Sequence, residues 1–137
     1  MSQTVVIRNV KFRWAHVYNT HAPFGDNIWD VQVVTDSKDK ADEMRSHGLN
    51  VKEKDGEFFA NVKRKEMNAK GERNTPPDVV DEGRRPITDP IGNDSVGNIK
   101  LFTYDISKGP RKGSKGAMLS AIQVTELVEY KKDQEDF

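Results

Sequence analysis

The chain has 137 residues, no cysteine, and 22 basic against 22 acidic side chains, so its formal charge at neutral pH is zero. That length suits one domain with a modest core, and the absence of cysteine excludes a disulfide framework, a thiolate metal site and a thiol nucleophile. Hydrophobic residues make up 34% and charged residues 32%, but the apolar residues are clustered, which argues for a wet, loop-rich folded domain rather than disorder. No apolar run approaches the length of a membrane span, and MSQTVVIRNVKF lacks the basic flank and apolar centre of a signal peptide, so a cytoplasmic location is expected.

Residues 3–18, QTVVIRNVKFRWAHVY, read as one strand or as two joined by a bulge, with Val10, Phe12 and Trp14 on one side and Lys11 and Arg13 on the other. HAPFGDN supplies a turn, and residues 28–35 form a second strand with Trp29, Val31 and Val33 on one face. Asp36 or Ser37 is placed to cap a short helix that Gly48 ends, burying Ala41 and Met44. An Asp-Gly turn then enters a strand within residues 53–67; Phe58, Ala60 and Val62 share its inner face, while Phe59, Asn61, Lys63 and Lys65 share the other. Residues 68–97 are rich in glycine, proline and charge and are expected to be loops with brief regular pieces. Strands resume over 98–107 and 117–130, separated by the turn GPRKGSKG. The expected fold is all-β with one short helix: a five-stranded oligonucleotide-binding (OB-fold) barrel with long inter-strand loops, a sandwich being the alternative. Residues 1–130 form that domain, and 131–137 a short acidic flexible tail.

The zero net charge conceals an uneven distribution. From Glu126 onward there are five acids and two lysines, which leaves the body with a surplus of three cations. Lys63, Arg64, Lys65, Lys70 and Arg73 meet only Glu66 and Glu72, and Lys108, Arg111, Lys112 and Lys115 form a cluster with no acid inside it. Most charge runs are simply solvated faces; a nucleic-acid reading also needs flat aromatic surface beside the cations. That surface is available if Phe59 points outward with Lys63 and Lys65, and if Phe102 or Tyr104 stands beside Lys100. Strand aromatics are more often core, and Phe58 and Trp14 are read that way. Arg84 and Arg85 extend the cationic path, although acids flank them.

Enzymatic chemistry finds little support. Neither GxxxxGK[ST] nor GxGxxG occurs, and His16, His21 and His47 are too scattered in sequence for a recognisable metal motif. Aspartates at 78, 81, 89 and 94 are read as turn caps, and Ser95 and Ser114 have no argued base beside them. No catalytic residue, metal site or cofactor is assigned.

In order along the chain, IWDVQVV, FFANVKRKEM, PPDVVDEGRRPI, IGNDSVGNIK and GAMLSAIQVTELVEY, followed by an acidic tail closed by phenylalanine, resemble the compact single-stranded DNA-binding proteins of tailed bacteriophages. Each segment is degenerate by itself; their order over most of residues 28–137 carries the resemblance. It implies an oligonucleotide-binding barrel that coats exposed DNA during phage replication and recombination, in the cytoplasm of the infected bacterial host. It makes the Lys63–Arg64–Lys65 strand, the Arg84–Arg85 neighbourhood and the IGNDSVGN turn near Lys100 DNA-facing, with Ile91, Gly92 and Asn93 shaping that region. It also implies that the tail, through Glu135, Asp136 and Phe137, contacts replication or recombination proteins and competes with DNA for the basic groove. Here the tail is short and includes Lys131 and Lys132. Single-stranded DNA is thus the expected partner; no membrane is expected, and a homodimer is compatible with the sequence. The competing readings are a small-barrel protein-interaction adaptor and a metal-assisted nuclease.

Overall fold

The longest element, β1 (Gln3–His21), changes its buried face twice. Ile7 is buried on one phase, Val10 and Phe12 on the opposite phase, and Val17 on the first again. Each change coincides with a residue of left-handed backbone, Asn9 at φ 57° and Trp14 at φ 53°, and with a register shift against β6 or β2. An extra residue in one strand inverts every side chain beyond it. The two bulged amides are taken up by side chains: Asn9 N–H donates to Asn98 Oδ1 at 3.0 Å and Trp14 N–H to Asn93 Oδ1 at 2.9 Å. The second bulge corrects the expectation for Trp14, which is ejected from the core and 62% exposed.

The structure is a computed structural model that describes residues 3–22, 25–68, 70–107, 109–110 and 112–128. After β1 come β2 (Ile28–Thr35), α1 (Lys38–Ser46), β3 (Lys52–Lys54), β4 (Glu57–Lys65), β5 (Asp78–Asp81), β6 (Ser95–Asp105) and β7 (Lys115–Glu126). Ser37 is the helix cap, its hydroxyl accepting from Lys40 N–H at 3.2 Å. Ala41 and Met44 are both fully buried, as the spacing requires.

The strands form one sheet in the order β3-β4-β2-β1-β6-β7-β5, antiparallel throughout except for the parallel pair β5 and β7. This corrects the expected five-stranded barrel: among the described residues the ladder has seven strands and is open, with β3 and β5 at its edges. Both additions escaped a pattern reading for a physical reason. β3 is three exposed charged residues with no apolar alternation, held only by pairing with β4 across the Asp55–Gly56 turn. β5 lies in the glycine- and proline-rich stretch and is recruited by β7, with Val79 against Ile122.

β1, β2, β4, β6 and β7 nevertheless wrap around a common core in which Ile7, Phe12, Val31, Val33, Val62, Ile99, Leu101, Leu119 and Ile122 are at most 1% exposed. β4 and β7 face each other without sharing a ladder. Arg64 crosses between them, donating from Nε to Thr75 O at 2.7 Å and from Nη1 to Leu119 O at 3.3 Å.

Candidate nucleic-acid interface

Strict alternation builds the outer face of the sheet. On β4, Ala60 and Val62 point to the core, which sends Lys63 and Lys65 into solvent. On β6, Ile99, Leu101 and Thr103 are buried, so Lys100, Phe102 and Tyr104 stand outward in a row. The two aromatic side chains are 36% and 41% exposed, and their ring centroids lie 6.4 Å apart with planes inclined by 32°. Exposing two large rings side by side sacrifices burial that a core position would provide, which makes them informative.

A groove of about 460 Å³ runs between these two rows. Lys63 and Lys65 form one wall, Phe102 and Tyr104 the other, and Met67, Met118, Asn68 and Asn74 contribute to its lining. The position of Tyr104 depends on a glycine. Gly116 is its cross-strand partner on β7, and a Cβ there would lie 2.5 Å from Tyr104 Cζ. The ring lies over the bare backbone of Gly116, a close approach that only glycine permits.

Lys100 reaches a second groove, of about 390 Å³, on the same sheet face. Arg8 and Arg84 also line it, over a floor that includes Val6, Val80 and Ala121, with Asp78 at its side. Since Lys100 and Phe102 are two residues apart on one strand face, β6 is shared by both grooves. The cationic path therefore runs along one surface, from Arg84 through Lys100 to Lys63 and Lys65.

The remaining candidates are dispersed. Arg64 is occupied by the backbone carbonyls between β4 and β7. Arg73 is ion-paired to Glu66 at 2.9 Å. Lys70 is exposed in a turn that Asn68 organises, the Asn68 Oδ1 accepting from the backbone N–H of both Lys70 and Glu72 at 2.9 Å. Phe59 is on the outer face, half-buried, opposite Val34 and Lys52 at the far end of β4 from Lys65. Arg85 is exposed, its backbone N–H bonded to Asp81 Oδ1 at 2.9 Å. Lys112 and Lys115 are exposed in and beside the hairpin joining β6 to β7. Lys108, Arg111, Glu135, Asp136 and Phe137 lie outside the described residues.

Sequence reasoning missed Arg8, Met67 and Met118. Arg8 shares the outward phase of Val6 and could have been found by alternation; the methionines carry no sequence signal that separates a groove lining from a core. His16 and His21 are not scattered in space: their rings stack at 3.9 Å, and both direct a nitrogen to Asp30. Not every cation-rich site is free for a ligand: Arg13 donates to Asp94 at 2.7 Å and to Glu57 at 3.1 Å, bonds that hold its pKa above the ordinary guanidinium value.

No family model and no curated protein sequence matches the chain. Solved structures do match. The single-stranded DNA-binding protein gp2.5 encoded by bacteriophage T7 aligns with a TM-score of 0.69 at 12% identity, over 98% of this chain and 92% of that one. The single-stranded DNA-binding protein from bacteriophage Enc34, in complex with single-stranded DNA, aligns with a TM-score of 0.63 at 13% identity, over 94% and 89%. The same Enc34 protein in a separate structure gives 0.62 at 12% identity, over 97% and 87%. This chain shares the fold of these phage proteins across nearly its whole length. Among the described residues, no helix is long and apolar enough to cross a membrane.

Proposed function

We propose that this protein is a non-enzymatic, largely sequence-independent single-stranded DNA-binding protein that coats and protects exposed strands during phage replication and recombination. The observation that carries the reading is the outward pair Phe102–Tyr104, set across a groove from Lys63 and Lys65 and continued by Lys100. Bases stack on the two rings, and because every base has a π-face this contact tolerates any sequence. The lysines neutralise phosphates, and Met67 and Met118 offer adaptable apolar contact. Arg8 and Arg84 extend the phosphate track, and Lys108, Arg111, Lys112 and Lys115 add phosphate contacts to that track. The fold shared with two phage proteins named for binding single-stranded DNA supports the same reading.

Within this proposal, β1, β2, β4, β6 and β7 act as the five strands of an oligonucleotide-binding barrel whose β4–β7 seam is bridged by Arg64 instead of a ladder. Residues 1–130 are the binding domain, working in the host cytoplasm. The acidic segment 131–137, with Glu135, Asp136 and Phe137, competes with DNA for the groove or engages a replication protein; removing it should raise affinity at low salt or abolish that partner contact.

The test is fluorescence anisotropy on labelled single-stranded DNA, duplex DNA and RNA of equal length, repeated across a salt series. Single strands should bind well ahead of duplex, and the logarithm of the affinity should fall linearly with that of salt, by about 0.7 per phosphate neutralised. Equal binding to duplex, or no binding at moderate salt, would falsify the proposal.

A further inference from the structure

We propose that His16, His21 and Asp30 form a binding site for a divalent transition metal, with Zn²⁺ the ion that the donor set suits best. His16 Nδ1 and His21 Nε2 each lie 2.9 Å from the same oxygen, Asp30 Oδ1. All three donor atoms fall within 4.8 Å of one another. Ligands bound to Zn²⁺ at about 2.0–2.2 Å sit at comparable mutual separations, and two imidazoles with one carboxylate is a ligand set that leaves a fourth position for water. Imidazole donors favour Zn²⁺, Co²⁺ or Ni²⁺ over Mg²⁺ and Ca²⁺, which take all-oxygen shells.

The scaffold holds the donors in place. His16 is paired with Asp30 across the β1–β2 ladder, and His21 with Ile28, two residues away on the same strand as Asp30. A register shift separates the two histidines, and it lets both rings come to one side and stack at 3.9 Å with planes 23° apart. The side chains of His16, His21 and Asp30 are 44%, 33% and 19% exposed, so an ion can enter from solvent without opening the core. The competing account is that Asp30 simply accepts two imidazole N–H bonds.

The site borders the interface. Asp30 is the cross-strand partner of Lys63 on β4, which places the two side chains on one face as neighbours. Without a metal, Asp30 offsets the charge of Lys63; a bound dication reverses the local sign and favours phosphate there. Metal would thus brace the end of the β1–β2 hairpin and add modestly to single-strand binding.

The experiment uses the full chain without DNA, so its outcome is independent of the DNA-binding proposal. Titration with Co²⁺ should produce visible d–d absorption that Zn²⁺ displaces, at one equivalent, and Zn²⁺ should raise the melting temperature. His21→Ala and Asp30→Asn should each weaken binding by about tenfold or more, whereas His47→Ala should leave it unchanged. Nitrogen-detected NMR on the unaltered protein should show Zn²⁺ shifting Nδ1 of His16 and Nε2 of His21, a readout that requires no variant to fold. No Co²⁺ spectrum, no ring-nitrogen shift, or binding that survives loss of His21 would overturn the site and leave Asp30 as a double acceptor.

Discussion

Two cations one residue apart on β4 meet different fates. Lys65 is exposed at the groove wall and has no ion-pair partner among the described residues, while Arg64 turns to the β4–β7 seam and is held by the carbonyl oxygens of Thr75 and Leu119. The same division recurs between Lys63, which faces the groove, and Arg73, which is paired to Glu66. A dense run of positive charge therefore contains two populations. One satisfies the protein's own acceptors, and the other retains charge for a polyanion. Residue type assists the division: the rigid guanidinium fork suits several fixed carbonyl and carboxylate oxygens, whereas a lysine amine on a flexible stem remains readily solvated.

That contrast can be broken experimentally. Reversing both outward lysines, Lys63→Glu with Lys65→Glu, should produce the largest loss, about a hundredfold or more in single-strand affinity at low salt. The neutral pair Lys63→Ala with Lys65→Ala should flatten the slope of log affinity against log salt by about 1.4. Tyr104→Ala should cost about tenfold by removing one stacking surface, with the salt slope unchanged. Gly116→Ala should weaken binding severalfold without removing a charge or a ring, because the added methyl displaces Tyr104; NMR shifts of the Tyr104 ring protons would report the displacement. Arg64→Ala should chiefly lower stability, by about 1 kcal/mol in a urea melt, since it removes the bonds to the exposed Thr75 carbonyl and the part-buried Leu119 carbonyl. Arg73→Ala should be the smallest effect, within about twofold for binding and about 0.5 kcal/mol for stability, because its ion pair with Glu66 is surface-exposed on the arginine side. A large effect from Arg73→Ala alongside a small one from the Lys63/Lys65 pair would invert the assignment of inward and outward cations.

A second comparison concerns glycines. Gly97 and Gly116 are both buried strand residues whose Cβ positions are occupied, yet the obstacles differ. At Gly97 the added atom would meet Gln123 O at 2.0 Å and Phe12 at 2.9 Å, whereas at Gly116 it meets the Tyr104 ring. Backbone and core cannot yield as a surface ring can, so Gly97→Ala should destabilise the fold far more than Gly116→Ala.

Legibility in the sequence followed the regularity of each element. The phase of β4 could be read directly because Ala60 and Val62 alternate with Lys63 and Lys65 without interruption. So could the outward row of β6, and the helix with its Ala41 and Met44 contacts, although the sequence left its cap open between Asp36 and Ser37. β1 could not, since its bulges at Asn9 and Trp14 depend on asparagine side chains more than seventy residues away to satisfy the displaced amides. A strand reading without those partners keeps Trp14 in phase with Phe12, the error that placed it in the core. The His16–His21–Asp30 cluster was illegible for the same reason, because the register shift that gathers it is decided between strands.

By itself the sequence determined the predominance of strand, the short helix, the alternation of core and surface along the regular strands, and the excess of cations beside aromatics on β4 and β6. These are local properties: periodicity, capping and composition act within a few residues. Only tertiary structure decided that the sheet has seven strands with open edges, that Arg64 is consumed by the seam, and that Lys63 and Lys65 face Phe102 and Tyr104 across one groove. Those facts depend on hydrogen-bond partners and packing contacts made between distant segments, which become available only when the chain has closed on itself.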